Sequence, residues 1–208
     1  MPHDFFKTVS RETYQDFLTY RSLLEKWNRK VNLVSSNTLS NFMIRHVLDS
    51  AQLLKYVEIH SGRWLDIGSG GGFPGIPLAI ISKNEYPHYK FTFMDSNSKK
   101  CFFLEEACKN LEIEADIICG RIEQVNPVKC DFIVSRALAP LNDLLAYSKI
   151  HRKDKGKSLF LKGKNVHNEI SYAKGKWFFN FYLHQSLSDK EGKILEINDY
   201  FLKNGKLA

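Results

Sequence analysis

The residues with the clearest chemical implication are Asp66-Ile67-Gly68-Ser69-Gly70-Gly71-Gly72-Phe73-Pro74-Gly75, which follow a short apolar run and precede a helix-like one. Closely spaced glycines let a backbone bend through positive φ and approach a ligand where a Cβ would clash, and the following helix offers unpaired N–H groups. The stretch reads as a binding turn for a nucleotide-like cofactor. Four other side chains suit a site built around it. Asp95 stands where a carboxylate accepts both ribose hydroxyls of an adenosine group, or else caps the helix that begins near Ser98. Ile122 can lie against adenine and Glu123 can reach its amino group, the alternative for Glu123 being an ordinary first-turn helix acid. Arg136 interrupts an apolar run, so its guanidinium needs an anionic or carbonyl partner.

The spacing of the turn separates the possible cofactors. A dinucleotide fingerprint, G-x-G-x-x-G/A, needs a small third residue for close helix–strand packing. Gly68 and Gly70 fit it, but Phe73 occupies the third position and Pro74 follows. Asp66, two residues before the first glycine, instead makes the turn resemble motif I of the S-adenosylmethionine methyltransferases. The partner of Arg136 is then the methionine carboxylate of that cofactor, Asp66 or Glu123, or a guanine O6. His46 and Asp49, three apart on one helix face, form a local pair or reach the cleft. Two ligand-type residues do not complete a metal site, so no metal is expected.

These residues need a scaffold that brings strand ends together. From Arg63 onward, strand candidates at 63–67, 90–95, 115–119, 130–135 and 158–162 alternate with helical stretches near 75–83, 98–110, 140–149 and 165–174, while 120–126 is at most one turn. Such alternation predicts a mostly parallel, doubly wound α/β sheet with helices on both faces. Ligands of such sheets bind beyond the carboxyl ends of the strands, where Asp66, Asp95, Glu123 and Arg136 all fall. Residues 176–183 and 193–197 have no helix between them and should form an antiparallel hairpin that closes one edge. The first 62 residues read as a helical extension packed on this core. One apolar stripe runs through Tyr14, Phe17, Leu18, Leu24, Trp27 and Val31, with Ser10 as N-cap, and a second runs through Leu39, Phe42, Met43, Val47, Ala51 and Leu54.

At 208 residues, 43% hydrophobic and 25% charged, the chain has the size and composition of one globular domain with a small appendage. It lacks a signal-peptide pattern and any apolar run of membrane length, which points to the cytoplasm. Cys101, Cys108, Cys119 and Cys130 contain no Cys-x-x-Cys pair and read as buried thiols. The net charge of +7 is carried mainly by the last third of the chain, and its densest part is Lys149, Arg152, Lys153, Lys155, Lys157, Lys162 and Lys164. Such a cluster can neutralise phosphates, or it can be a solvated lysine-rich loop.

Across roughly residues 26–165 the chain resembles the RsmG (GidB) ribosomal RNA methyltransferases. The resemblance is carried by Asn32-Leu33-Val34, His46-Val47-Leu48-Asp49-Ser50 and the stretch from Asp66 to Ala79. It continues through Asp95-Ser96 with Lys99-Lys100 and Phe103-Leu104-Glu105-Glu106, then Gly120-Arg121-Ile122-Glu123, the segment Ser135 to Leu141, and Leu161-Lys162-Gly163-Lys164. It implies a Rossmann-like class I methyltransferase fold with a seven-stranded sheet. It also implies S-adenosylmethionine as donor and transfer of its methyl group to N7 of a guanine in 16S ribosomal RNA, guanine 527. Gly68, Phe73, Ile122, Glu123 and Arg136 match the family's cofactor positions, to which the reading of the turn adds Asp66, Gly70 and Asp95. The 16S RNA or the 30S particle is the implied partner, and the chain is expected to be monomeric and away from membranes. The lysine-rich C-terminal hairpin matches the family weakly. The competing readings are a methyltransferase for another RNA, a protein or a small molecule, a non-catalytic ribosome assembly factor, and, third, a nicotinamide oxidoreductase.

Overall fold

The computed structural model describes residues 8–203; the first seven residues, which belong to the expected helical extension, and the last five lie outside the described residues. The described residues form one seven-stranded sheet in the order β3-β2-β1-β4-β5-β7-β6. Its strands are β1 (Gly62–Ile67), β2 (Tyr89–Asp95), β3 (Ala115–Cys119), β4 (Cys130–Arg136), β5 (Arg152–Lys162), β6 (Trp177–Gln185) and β7 (Lys193–Leu202). The first five are parallel, and β7 enters antiparallel between β5 and β6. The order reverses direction between β1 and β4, the switch point beyond which ligands of open α/β sheets bind.

Helices cover both faces. Here α1 is Arg11–Asn28, α2 is the short Ser36–Leu39, and α3 is the helical run 43–56, which opens as a π-helix over Met43–Leu48. The later helices are α4 (Gly75–Glu85), α5 (Ser98–Asn110), α6 (Leu141–His151) and α7 (Val166–Ala173). One core joins Phe17, Tyr20, Leu24, Phe42 and Val47 of the N-terminal helices to Ile76 and Phe103 and to Trp64 and Phe93 of the sheet. The opposite face packs α6 and α7 on Leu65, Ile133, Phe160 and Leu195.

The N-terminal stripe is rotated from the sequence reading. Ser10 does cap α1, its Oγ accepting the Thr13 N–H at 3.1 Å. The buried residues are Thr13, Phe17, Tyr20 and Leu24, however, while Tyr14 is 42% exposed. The 3.6-residue repeat continues from Phe17 to Tyr20 and Leu24, which leaves Tyr14 off that line. β5 also begins six residues earlier than predicted. Its lysine-rich first half reads as a loop by composition but is held in the sheet by register with β4 and by ion pairs from Lys153 to Asp131 (2.7 Å) and from Lys157 to Glu196 (2.7 Å).

The small residue that permits close helix–strand packing is Gly75. A Cβ there would lie 2.4 Å from the Phe93 ring and 2.7 Å from Asp66 Oδ2. Phe73 turns the other way, into Tyr20, Phe42 and His46. Its bulk therefore does not obstruct the packing of α4 on the sheet, contrary to what its position in the motif suggested. Gly75→Ala is expected to cost about 1–3 kcal/mol through overpacking; a urea midpoint equal to that of the unsubstituted chain would contradict this contact.

Candidate functional site

The glycine turn is stitched to the end of β2. Gly68 and Ser69 donate their N–H groups to the Met94 carbonyl at 2.8 and 3.0 Å. Ser69 Oγ accepts the Met94 N–H at 3.1 Å and donates to the Asp66 carbonyl at 2.8 Å. Asp95 is not the N-cap of α5; that position belongs to Asn97, whose side chain accepts from Lys99 and Lys100. Asp95 instead holds the turn, one carboxylate oxygen accepting the Gly70 N–H and the other the Asn97 N–H, both at 2.9 Å. Gly70 has φ +56°, and a Cβ there would meet nothing nearer than 3.8 Å. The backbone thus needs glycine for its conformation, and the space above it is open to a ligand.

Asp66 lies beneath the turn. Its Oδ2 accepts the Gly75 N–H at 2.9 Å, and its Oδ1 is buried without a hydrogen-bond partner among the described residues. Burial pushes this carboxyl up to about 7, against the Gly75 hydrogen bond and the charge of Arg136. An orphaned acceptor below a backbone cradle suits a ligand with a cationic group, and the amino group of S-adenosylmethionine is one. Ile122 and Glu123 sit in a single 3-10 turn after β3; Ile122 is buried and Glu123 is exposed.

Arg136, at the end of β4, is held by the N-terminal helices rather than by the acids at neighbouring strand ends. Its guanidinium donates to the Arg45 carbonyl at 3.1 Å, pairs with Asp49 at 3.6 Å, meets His46 Nδ1 at 2.9 Å and lies 4.6 Å above the Phe73 ring. Asp66 and Glu123, the protein partners considered from sequence, are not its ion-pair partners. His46 stacks on Phe73 at 4.4 Å. Burial and the charges of Arg136 and Arg45 hold His46 down to about 3. It is therefore neutral, with Nδ1 accepting from Arg136 and the ring proton on Nε2, which is buried without a partner among the described residues. His46 and Asp49 both reach the cleft, each through Arg136.

Several residues of this arrangement escaped the sequence reading. Tyr20 donates its hydroxyl to the Gly71 carbonyl. Asn28 takes the N–H groups of Leu33 and Val34, folding that segment against Gly71, where a Cβ would come within 3.2 Å of the Leu33 carbonyl. The hairpin loop between β6 and β7 reaches back to α3. Asp189 pairs with Arg45 at 2.5 Å, Ser188 donates to Asp49, and Gln52 accepts the Leu187 N–H at 2.8 Å. A hydroxyl on an apolar stripe was the available signal for Tyr20; no local pattern marks where a polar hairpin loop docks.

The basic stretch does not make one patch at this site. Cys130 pairs with Arg152 and Phe132 with Lys157, which sets those basic residues at the amino end of the parallel strands. Lys162 does reach the carboxyl end, where it is buried against Glu169 (2.6 Å) and the Ala139 carbonyl (3.1 Å). Among the described residues no group of three or more His, Cys, Asp or Glu could hold a metal ion, and no helix is long and apolar enough to cross a membrane.

Asp66 and His46 give stability opposite pH dependences. The raised carboxyl of Asp66 contributes stability at low pH that is lost as pH rises from about 4 to about 7. The depressed imidazole of His46 costs stability as pH falls from about 6.5 toward about 3, because only the unfolded chain takes up the proton there. Relative to the unsubstituted chain, Asp66→Asn should gain stability with rising pH between 4 and 7, and His46→Phe should lose it, by up to about 1.4 kcal/mol per pH unit. Thermal midpoints measured from pH 4 to 8 check both signs, and parallel curves for all three proteins would contradict them.

Comparison with known proteins places this arrangement. Residues 13–198 match the GidB family, described as rRNA small subunit methyltransferase G. The chain is 41% identical over 189 residues to the ribosomal RNA small subunit methyltransferase G of Cereibacter sphaeroides (strain ATCC 17029 / ATH 2.4.9), covering 91% of this chain and 92% of that one. It is 41% identical over 191 residues to the protein of the same name from Rickettsia akari (strain Hartford), covering 92% and 96%. A SAM-dependent methyltransferase structure from Aquifex aeolicus superposes with a TM-score of 0.60 at 14% identity, covering 86% of this chain and 98% of that one, and shares the Rossmann-like class I fold. With a glycine turn braced by N-terminal helices and a match across nearly its whole length, the chain belongs to the GidB family.

Proposed function

We propose that this chain transfers the methyl group of S-adenosylmethionine to N7 of a guanine in 16S ribosomal RNA, guanine 527 by the family resemblance. The observation that carries the reading is the junction at Arg136. On one side of it a cavity of about 390 Å³ is lined by Gly68 to Gly71, Phe73, His46 and Lys100. On the other, a cavity of about 530 Å³ lies against the end of β5 and the hairpin loop. Arg45, Asp49, Arg136 and Ala137 line both. A group transfer between two bound molecules needs two such spaces meeting at the reacting atoms.

S-adenosylmethionine, when bound, supplies an electrophilic methyl group on a sulfonium. Asp95 and the Gly70 backbone would hold the adenosine end, Ile122 would pack on the adenine ring, and Asp66 and Arg136 would meet the amino and carboxylate groups of the methionine end. Glu123, exposed beside Ile122, would meet the adenine amino group. Guanine N7 attacks through an in-plane lone pair and carries no proton, so this chain need not provide a general base. The neutral imidazole of His46 suits that chemistry, because its Nδ1 is committed to Arg136 and its low proton affinity unfits it as a base. Transfer to N7 would leave the bonding pair on sulfur and the positive charge on the purine. The Asp49 carboxylate, which lines both cavities, would stabilise that charge. Fixing nucleophile and methyl in line is the larger contribution, on the order of several kcal/mol.

N7 lies on the Hoogsteen edge, in the deep major groove of an RNA helix that side chains do not enter. The target guanine is therefore in a loop or exposed during assembly of the 30S particle. Two experiments test the reading. Gly70→Val should abolish saturable S-adenosylmethionine binding in calorimetry at a stability cost of about 1–2 kcal/mol for the left-handed backbone; retained affinity would mean that the cofactor does not sit on this turn. Ribosomal RNA from cells with and without the protein should differ by one 7-methylguanosine, and identical modification maps would refute the substrate.

A further inference from the structure

A further cavity, of about 390 Å³, opens where the end of α1 meets the start of α5, and the transfer chemistry makes no use of it. Trp27, Lys30, Val31, Ser98, Lys99 and Phe102 line it, so its walls are largely aromatic and apolar, with two cations and no acid. Phe102 faces away from the buried side of α5, which is formed by Cys101, Phe103, Leu104, Ala107 and Cys108, and is 52% exposed. Its ring meets that of Trp27 at 5.6 Å and 55°, and Trp27 is anchored in turn on Phe103 at 5.9 Å. A single exposed phenylalanine is ordinary on a protein surface. Two aromatic rings set beside lysines are the arrangement on which nucleic acid bases stack while the cations hold the backbone. The charges here are free to do so. Lys30 and Lys99 are exposed and form no ion pair among the described residues, and the same holds for Lys26 and Arg29 on either side of Trp27. Lys153 and Lys157, by contrast, are neutralised by Asp131 and Glu196. Lys99 and Lys100 also stand in the first turn of α5, which carries no acid. The helix dipole disfavours cations at that end, and a bound phosphate reverses the balance.

We infer that this cavity is a docking site for single-stranded 16S RNA, in which a base away from the target nucleotide stacks on Phe102 and Trp27 while Lys30 and Lys99 hold the adjoining phosphates. The inference rests on the ribosomal RNA reading above and adds a contact remote from the reacting atoms. Its position suits a chain of nucleotides that also reaches the cofactor. Lys99 and Val31 line this cavity, while the nearby Lys100 and Leu33 line the one that contains the glycine turn. α5 follows β2 and Arg136 ends β4, on opposite sides of β1 in the sheet. RNA held at both places lies across the mouth of the cofactor cavity. Because every base offers a π-face, such a contact tolerates any sequence and contributes affinity rather than the choice of guanine.

Phe102→Leu keeps apolar bulk against Trp27 and removes the π-face. It should retain the thermal midpoint and the S-adenosylmethionine affinity of the unsubstituted chain and weaken binding to unmethylated 30S particles about tenfold, the order expected for the loss of one stacked base. Phe102→Tyr, which keeps the ring, should bind the particles as the unsubstituted chain does. Lys30→Gln combined with Lys99→Gln should make the slope of log affinity against log salt shallower by about 1.4, that is, two single-strand phosphate contacts at about 0.7 each, again with cofactor affinity unchanged. Equal affinity of Phe102→Leu and the unsubstituted chain for 30S particles would overturn the inference. So would weaker binding by Phe102→Leu together with an unchanged salt slope in the lysine variant, because the occupant would then be a ribosomal protein. If the unsubstituted chain neither binds nor methylates 30S particles, the proposed function falls and this inference with it. If it methylates them and Phe102→Leu binds them equally well, only the docking site falls.

Discussion

A positive charge at the end of a buried strand organises this protein. The Arg136 side chain is 20% exposed, and the residues beside it on β4 are apolar or engaged within the sheet. Burial works against the charged guanidinium, and Asp49 is the largest influence opposing that effect. A cation in such a place must have its donors satisfied, because an unpartnered one costs several kcal/mol. The groups that satisfy it come from α3, as the Arg45 carbonyl, His46 Nδ1 and the Asp49 carboxylate, and from the glycine turn, as the Phe73 ring. Asp49 and Arg45 are in turn held by the hairpin loop. Segments far apart in sequence are thereby fixed in relation to the switch point of the sheet.

This constraint explains why the N-terminal helices matter to a turn that lies outside them. A glycine-rich backbone has little to hold it in one conformation, and ordering it costs more entropy than ordering other residues. Here the turn is tied on each side. β2 takes the N–H groups of Gly68 and Ser69, Asp95 takes that of Gly70, and Tyr20 donates to the Gly71 carbonyl. Phe73 then anchors the end of the turn in an aromatic cluster with Tyr20, Phe42 and His46. The same ring supports the guanidinium of Arg136, so the geometry of the cofactor cradle and that of the neighbouring cavity are set by shared side chains. A cation over an aromatic face is worth roughly 0.5–2 kcal/mol, enough to favour one placement of the ring over its alternatives.

Much of the architecture was legible in the sequence because its signals are local. Alternating strand and helix patterns gave the parallel sheet, and the absence of a helix between residues 183 and 193 gave the hairpin. Asp95 and Arg136 were expected at strand ends and lie there, and the comparison of fold and family agrees with that scaffold. What escaped depends on contacts between distant segments. The partner of Arg136 lies 87 positions earlier, at Asp49. The lysines of β5 left a phosphate-neutralising cluster and a solvated loop both open, because composition does not reveal that Asp131 and Glu196 neutralise two of them or that the first half of the strand lies at the amino end of the sheet. Phe73 was correctly seen as foreign to a dinucleotide turn, yet the reason is not steric exclusion. Gly75 performs the close packing, and Phe73 is the link to the helical extension.

Arg136 and Asp49 act as one unit that couples the N-terminal helices to the site. A double-mutant cycle on S-adenosylmethionine affinity, comparing Arg136→Lys, Asp49→Asn and the two combined, measures this directly. The expected coupling is about 1–3 kcal/mol, with the double variant binding far better than the sum of the single losses implies. Losses that add, with no coupling beyond about 0.3–0.5 kcal/mol, would mean that the two residues act independently and would contradict it.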